Sequence, residues 1–101
     1  MPKPKKKVQE VEELHTYLVT CEFNEDDEYD DFYEVLDEYP AWRNIFGTQW
    51  FVCSEDSAED VYRNLYETMF EGDFIFVCEV SENYASFLPE DTVDWMEENL
   101  D

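Results

Sequence analysis

Trp42–Met69 reads WRNIFGTQWFVCSEDSAEDVYRNLYETM, and the way this stretch folds decides the architecture of the whole chain. Gly47-Thr48 divides its first half into Trp42 to Phe46 and Gln49 to Ser54, two apolar runs joined by a two-residue, glycine-headed connection. That is a hairpin signal. In the second run Trp50, Val52 and Ser54 alternate with Phe51 and Cys53; a single long bent strand over Trp42 to Ser54 would read much the same. Ser57, followed three residues later by Asp60, is a capping-box variant with Asp in place of Glu or Gln. It opens a helix whose Ala58, Val61, Tyr62, Leu65 and Met69 share one stripe, with Gly72 expected as its C-cap.

Upstream, His15 to Phe23 alternates as a half-buried strand, with Tyr17, Val19, Cys21 and Phe23 on one face and Thr16, Leu18, Thr20 and Glu22 on the other. Asn24 to Glu28 is a carboxylate-rich loop. Tyr29 to Tyr39 follows with Tyr29, Phe32, Tyr33 and Leu36 at helical spacing, and Pro40 closes it. Downstream, Phe74 to Val80 is almost continuously apolar, the pattern of a central strand. Pro89, Glu90 and Asp91 start a terminal helix expected to bury Val93, Met96 and Leu100. The order strand, helix, strand, strand, helix, strand plus a C-terminal helical extension is the split βαβ pattern. The expected fold is therefore α+β and ferredoxin-like, with an antiparallel sheet, over residues 8–101 as a single domain. Residues 1–7, with four lysines and two prolines, are expected to form a disordered basic arm.

Three segments also resemble a family. TYLVTCEF (16–23), QWFVCSEDSAEDVYRNL (49–65) and EGDFIFVCEV (71–80) are similar to the SinR-like and virulence-associated-protein-D-like relatives of the small subunit of the CRISPR spacer-integration complex. The resemblance covers about residues 14–80. It implies a ferredoxin-like domain and a homodimer, and for some members a metal-dependent nuclease whose catalytic acid is an Asp ending the first strand, usually after Tyr. The matching dipeptide here is Cys21-Glu22. Glu is one methylene longer, and a shared Mg²⁺ site demands near-ideal octahedral geometry.

Charge points away from nuclease chemistry. The chain has 28 Asp and Glu against six Lys and Arg, a net charge of −22. Four of those cations are Lys3, Lys5, Lys6 and Lys7, so residues 8–101 set two arginines against all 28 acids, a net charge of −26. Such a surface repels nucleic-acid phosphate. A chain this acidic would stay unfolded if it were poor in apolar residues, but 44% hydrophobic residues, including 18% aromatic, suffice for a core. Trp42, Trp50, Tyr62 and Trp95 have the chemistry of interface anchors, but at helical or alternating spacing most such aromatics belong to the core.

Acids three or four apart on a helix lie about 5–6 Å from one another, similar to neighbouring phosphates along a strand. One such row is Glu25, Asp26, Asp27, Glu28, Asp30, Asp31, Glu34, Asp37 and Glu38; a second is Glu55, Asp56, Glu59, Asp60 and Glu67. These are the candidate partner-binding residues. Ordinary surfaces mix both signs of charge, and this one does not. The segment NEDDEYDDFYE (24–34) offers hard oxygen ligands but lacks the sixth-position glycine and alternating pattern of an EF-hand. Cys21, Cys53 and Cys78 lie in apolar runs without metal spacing and read as reduced core thiols. His15 has no nucleophilic partner in sequence.

The expected protein is a non-enzymatic, nucleic-acid-mimicking inhibitor of the kind a phage encodes against host defence. It would act in the host cytoplasm, using no catalytic residue, metal or cofactor. Its expected partner is a basic nucleic-acid-binding protein such as a host defence nuclease, with no direct nucleic-acid or membrane binding. The alternatives are a divergent nuclease using Glu22 across a dimer interface, and a halophile-adapted housekeeping domain.

Overall fold

Gly47 adopts φ +53°, so the chain reverses within Gly47-Thr48 and β2 (Ala41–Phe46) pairs antiparallel with β3 (Gln49–Ser54). The hairpin reading therefore holds, and the single bent strand does not. The computed structural model of the protein describes residues 14–24 and 28–100; the basic arm at residues 1–7 lies outside them, as do Glu25, Asp26 and Asp27. Around the hairpin stand β1 (His15–Glu22), α1 (Asp30–Asp37), α2 (Ala58–Tyr66), β4 (Phe74–Glu79) and α3 (Glu90–Asn99). The strands form one four-stranded sheet in the order β2-β3-β1-β4, every neighbouring pair antiparallel. This α+β arrangement is compatible with a ferredoxin-like fold.

Period-2 alternation sends Tyr17, Val19 and Cys21 of β1 and Trp50 and Val52 of β3 to the face covered by α1 and α2. From the helices, Phe32, Leu36, Val61 and Leu65 meet them, each with 0% exposure. The aromatic rings interlock: Phe23 stacks on Tyr29 with centroids 4.0 Å apart, and Phe32 lies edge-on to Phe23 at 5.3 Å. Ser57 caps α2 by accepting the Asp60 N–H at 3.1 Å, as the capping-box variant predicts.

Four expectations change. Tyr33 (46% exposed) and Tyr62 (37%) leave the buried stripes. Each helix meets the sheet through an i, i+4 pair, Phe32–Leu36 or Val61–Leu65, and the next residue stands about 100° round the helix. α2 ends at Tyr66 with Glu67 as C-cap, well before Gly72, which instead takes φ +94° in a turn where the Asp73 N–H donates to the Phe70 carbonyl. β4 is an edge strand rather than a central one. α3 packs on the far side of β2 and β3, where it buries Thr92 and Met96 and only partly covers Val93 and Leu100. There Trp95 stacks on Phe51 at 5.9 Å and the Arg43 Nε–H donates to Thr92 Oγ1 at 3.0 Å. This second layer explains why Phe51 and Cys53 are as deeply buried as Trp50 and Val52.

A candidate acidic docking groove

A groove of about 770 Å³ lies between α1, the β3–α2 connection and the end of α2. Six carboxylates line it: Asp31, Glu34 and Glu38 from α1 and its C-cap, Glu55 and Asp56 from the β3–α2 connection, and Glu67 from the end of α2. Three acids from each of the two predicted rows thus meet at one feature. Val35, Tyr39, Pro40, Ser54, Asn64 and Thr68 complete its lining.

The connection bearing Glu55 and Asp56 is fixed by hydrogen bonds to the sheet. The Asp56 N–H donates to Ser54 Oγ at 2.9 Å, and the Tyr17 hydroxyl donates to the Asp56 carbonyl at 2.6 Å. Both anchors are nearly inaccessible, Ser54 at 3% and Tyr17 at 3% exposure. Across the groove, the Asn64 side-chain amide donates to the Tyr39 hydroxyl at 3.2 Å. Burial pushes the Tyr39 phenol above its ordinary value; the Asn64 bond pulls it down, and the negative charges of Asp56, Glu38 and Asp60 push it further up. Two of these three acids, Asp56 and Glu38, line the groove.

Asp30, Glu34 and Asp37 occupy a second, shallower concavity on the other flank of α1, beside Tyr33 and Trp42. The Trp42 Nε1–H donates to Asp37 Oδ1 at 3.2 Å. Asp37 and the C-cap Glu38 sit at the C-terminal end of α1, where the last turn has no basic residue. Acids stabilise a helix N-terminus and cost about 0.3–1 kcal/mol each at a C-terminus. The dipole therefore disfavours both, and at Asp37 the Trp42 bond offsets that cost.

The remaining predicted residues lie elsewhere. Glu28 is exposed beside the undescribed Glu25, Asp26 and Asp27. Glu59 and Asp60 are paired with Arg63, whose Nη2 lies 2.6 Å from Glu59 and whose Nη1 lies 4.0 Å from Asp60. Arg43 is held by Asp91 at 2.9 Å on the α3 side of the sheet. Among the described residues, both guanidinium groups are therefore engaged away from the six groove carboxylates.

Glu22 stands exposed at the end of β1, and among the described residues no group of three His, Cys, Asp or Glu side chains is placed to hold a metal ion. Cys21 and Cys53 are buried free thiols, whereas Cys78 is only partly covered and lies outside the main core, a correction to its expected core position. Among the described residues no helix is long and apolar enough to cross a membrane. Sequence reading missed Tyr39 and Asn64 as groove residues; the Tyr39-Pro40 pair after α1 was the available signal. Compared with family models, curated protein sequences and solved structures, the chain matches none.

Proposed function

We propose that this protein is a non-enzymatic inhibitor that presents its acidic helical layer to the basic cleft of a DNA- or RNA-binding protein, in the place of nucleic acid. A host defence nuclease is the target class such a surface suits, and a phage or other mobile element is the type of source that would deploy it in the host cytoplasm. One observation carries the reading: six carboxylates from three separate segments converge on a single groove while both described arginines are bound elsewhere. Glu38 at the C-cap of α1 adds to it, because it is kept at a cost to the helix.

Carboxylates held on two packed helices are ordered before binding, which removes part of the entropy cost of association. Their summed field accelerates encounter with a cation-lined cleft and suppresses other partners by like-charge repulsion. Nucleic acid then competes for the same lysines and arginines. As part of the same reading we assign the sheet to the ferredoxin-like fold, on the grounds that β1 lies between β3 and β4 with every pairing antiparallel.

The test is capture on immobilised protein from a bacterial lysate, followed by elution with duplex DNA or with RNA at constant ionic strength. The reading predicts a retained nucleic-acid-binding protein that either polymer displaces. Retention of basic proteins at large, released by salt but not by nucleic acid, would contradict it.

A further inference from the structure

The two edges of the sheet are built differently. β2 is guarded: its register with β3 shifts between Asn44 and Phe46, Arg43 stands within it held by Asp91, and α3 packs against it. β4 has none of these devices. Its six residues, FIFVCE, include no proline, lysine or arginine, and they pair with β1 in unbroken register from Glu22↔Phe74 to Tyr17↔Glu79. Bulges, prolines and lysines are what keep a sheet edge from accepting another strand. The Val80 N–H donates to the Thr16 carbonyl at 2.8 Å. Alternation in an antiparallel ladder then turns the backbone of Cys78, Phe76 and Phe74 to β1 as well, and leaves the N–H and C=O groups of Ile75, Val77 and Glu79 pointing away from it. Among the described residues no further strand lies on that side.

Exposed aromatic rings stand on both sides of this edge. Ile75 and Val77 pack on the core beneath the helices, so Phe74 and Phe76 point to the opposite face, where they are 68% and 61% exposed. On the helical side, α2 is the helix packed on β4; its Val61 and Leu65 face the sheet, and Asn64 turns to α1 through its bond with Tyr39. Tyr62 and Tyr66, on the remaining flank, overhang the β4 edge with their rings stacked 5.5 Å apart. The charge nearby has one sign. Glu71, Glu79 and Glu82 are exposed along and beside the strand, and no lysine or arginine follows Arg63 in the chain.

We infer that β4 takes up an extended, cationic segment of a foreign protein as a further strand. The backbone groups of Ile75, Val77 and Glu79 supply the pairing. Successive side chains of an added strand point to opposite faces, so one set meets Phe74 and Phe76 while the other meets Tyr62 and Tyr66. Apolar side chains suit the first set. Lysine or arginine suits the second, because the tyrosine faces and the acidic helical layer both attract cations. The segment recognised therefore alternates apolar and basic residues. Charge selects this occupant over a second copy, which would bring its own Glu71, Glu79 and Glu82 to the same edge. The inference rests on β4 and stands or falls independently of the groove's partner.

The probe is the peptide Lys-Val-Lys-Val-Lys-Val-Lys, titrated into the isotopically labelled full chain and followed by amide resonances and hydrogen exchange. With peptide bound, the amides of Ile75, Val77 and Glu79 should shift and exchange at least about tenfold more slowly. Because an added strand turns only alternate N–H groups to its neighbour, N-methylation of the lysines or of the valines, but not of both sets alike, should weaken binding at least about tenfold. Equal affinity for the unmethylated peptide and both methylated ones, or shifts confined to the groove, would overturn the inference and leave attraction by charge alone. Protection of those three amides before any peptide is added would also overturn it, because a second copy would then hold the edge. So would a failure to bind at low salt, where the attraction is strongest.

Discussion

The Tyr39 hydroxyl accepts a hydrogen bond from the Asn64 side-chain amide at 3.2 Å, linking the end of α1 to α2 beneath six carboxylates. Burial first, and then Asp56, Glu38 and Asp60, hold this phenol above 10.0. In an ultraviolet titration, Tyr39→Phe should remove a component that ionises above the ordinary tyrosine range. Because the folded-state value is raised, the stability contributed by the neutral phenol is complete below 10.0 and is lost as pH rises through that higher value. Replacing Asp56 with Asn should bring the component down. A Tyr39 that ionises at or below 10.0 would contradict the groove's electrostatics.

Asp73 organises the turn before β4. Its Oδ1 accepts the Asn24 N–H at 2.6 Å and the Tyr29 hydroxyl at 3.0 Å, and its Oδ2 accepts the Phe70 N–H at 2.8 Å. Partial burial pushes its carboxyl up, but these bonds together outweigh that and hold it below 3.8. Asp73→Ala should cost about 1–3 kcal/mol at neutral pH by urea denaturation. The depressed value means this contribution is present above the unfolded value and lost as pH falls through the folded one, so the wild type and variant should converge in acid. A gap that stays constant with pH would show that the charge plays no part.

The two glycines should respond unequally to alanine. At Gly47, φ is +53° and nothing lies within 4 Å of a new Cβ, so only the left-handed backbone is penalised, by about 1–2 kcal/mol. At Gly72, φ is +94° and the new Cβ would meet Asn24 Nδ2 at 2.6 Å. Moving that amide disturbs the segment tied to Asp73, so Gly72→Ala should lower the melting temperature more than Gly47→Ala. Equal shifts would remove the Asn24 contact from the explanation.

Thiol reactivity should separate the cysteines. Burial, aided by Asp73, pushes Cys21 up to about 12, and burial also raises Cys53, partly offset by its bond with Thr16. Only thiolates attack disulfide reagents. One thiol, Cys78, should react quickly and two more only after unfolding. Fast reaction of all three would mean that the β1–β3 core opens readily.

The elements and the core were legible where one face of an element meets one layer. Alternation in β1 and the i, i+4 pairs of α1 and α2 each admit a single burial pattern. β4 was misplaced because an unbroken apolar run reads alike whether both faces are buried or one is left open to water. α3 was placed by its start signals, but nothing local says that it packs against Phe51 and Arg43. For the site, helical spacing revealed the acidic rows, while the meeting of three acids from each depends on how α1, α2 and the β3–α2 connection are placed on the sheet. Arg63's capture of Glu59 and Asp60 follows i, i+4 and i, i+3 spacing and was readable in principle.

The central claim is that the groove, and not net charge alone, engages a cation-lined cleft. The direct measurement is the affinity of the captured nucleic-acid-binding protein for Glu34→Lys with Glu67→Lys, compared with Glu97→Lys and Glu98→Lys on α3. Both double variants change net charge equally. At about 1.4 kcal/mol for each tenfold change, the account predicts that the groove pair loses at least about a hundredfold in affinity while the α3 pair stays within severalfold of wild type. Equal losses from both pairs, or none from the groove pair, would contradict it.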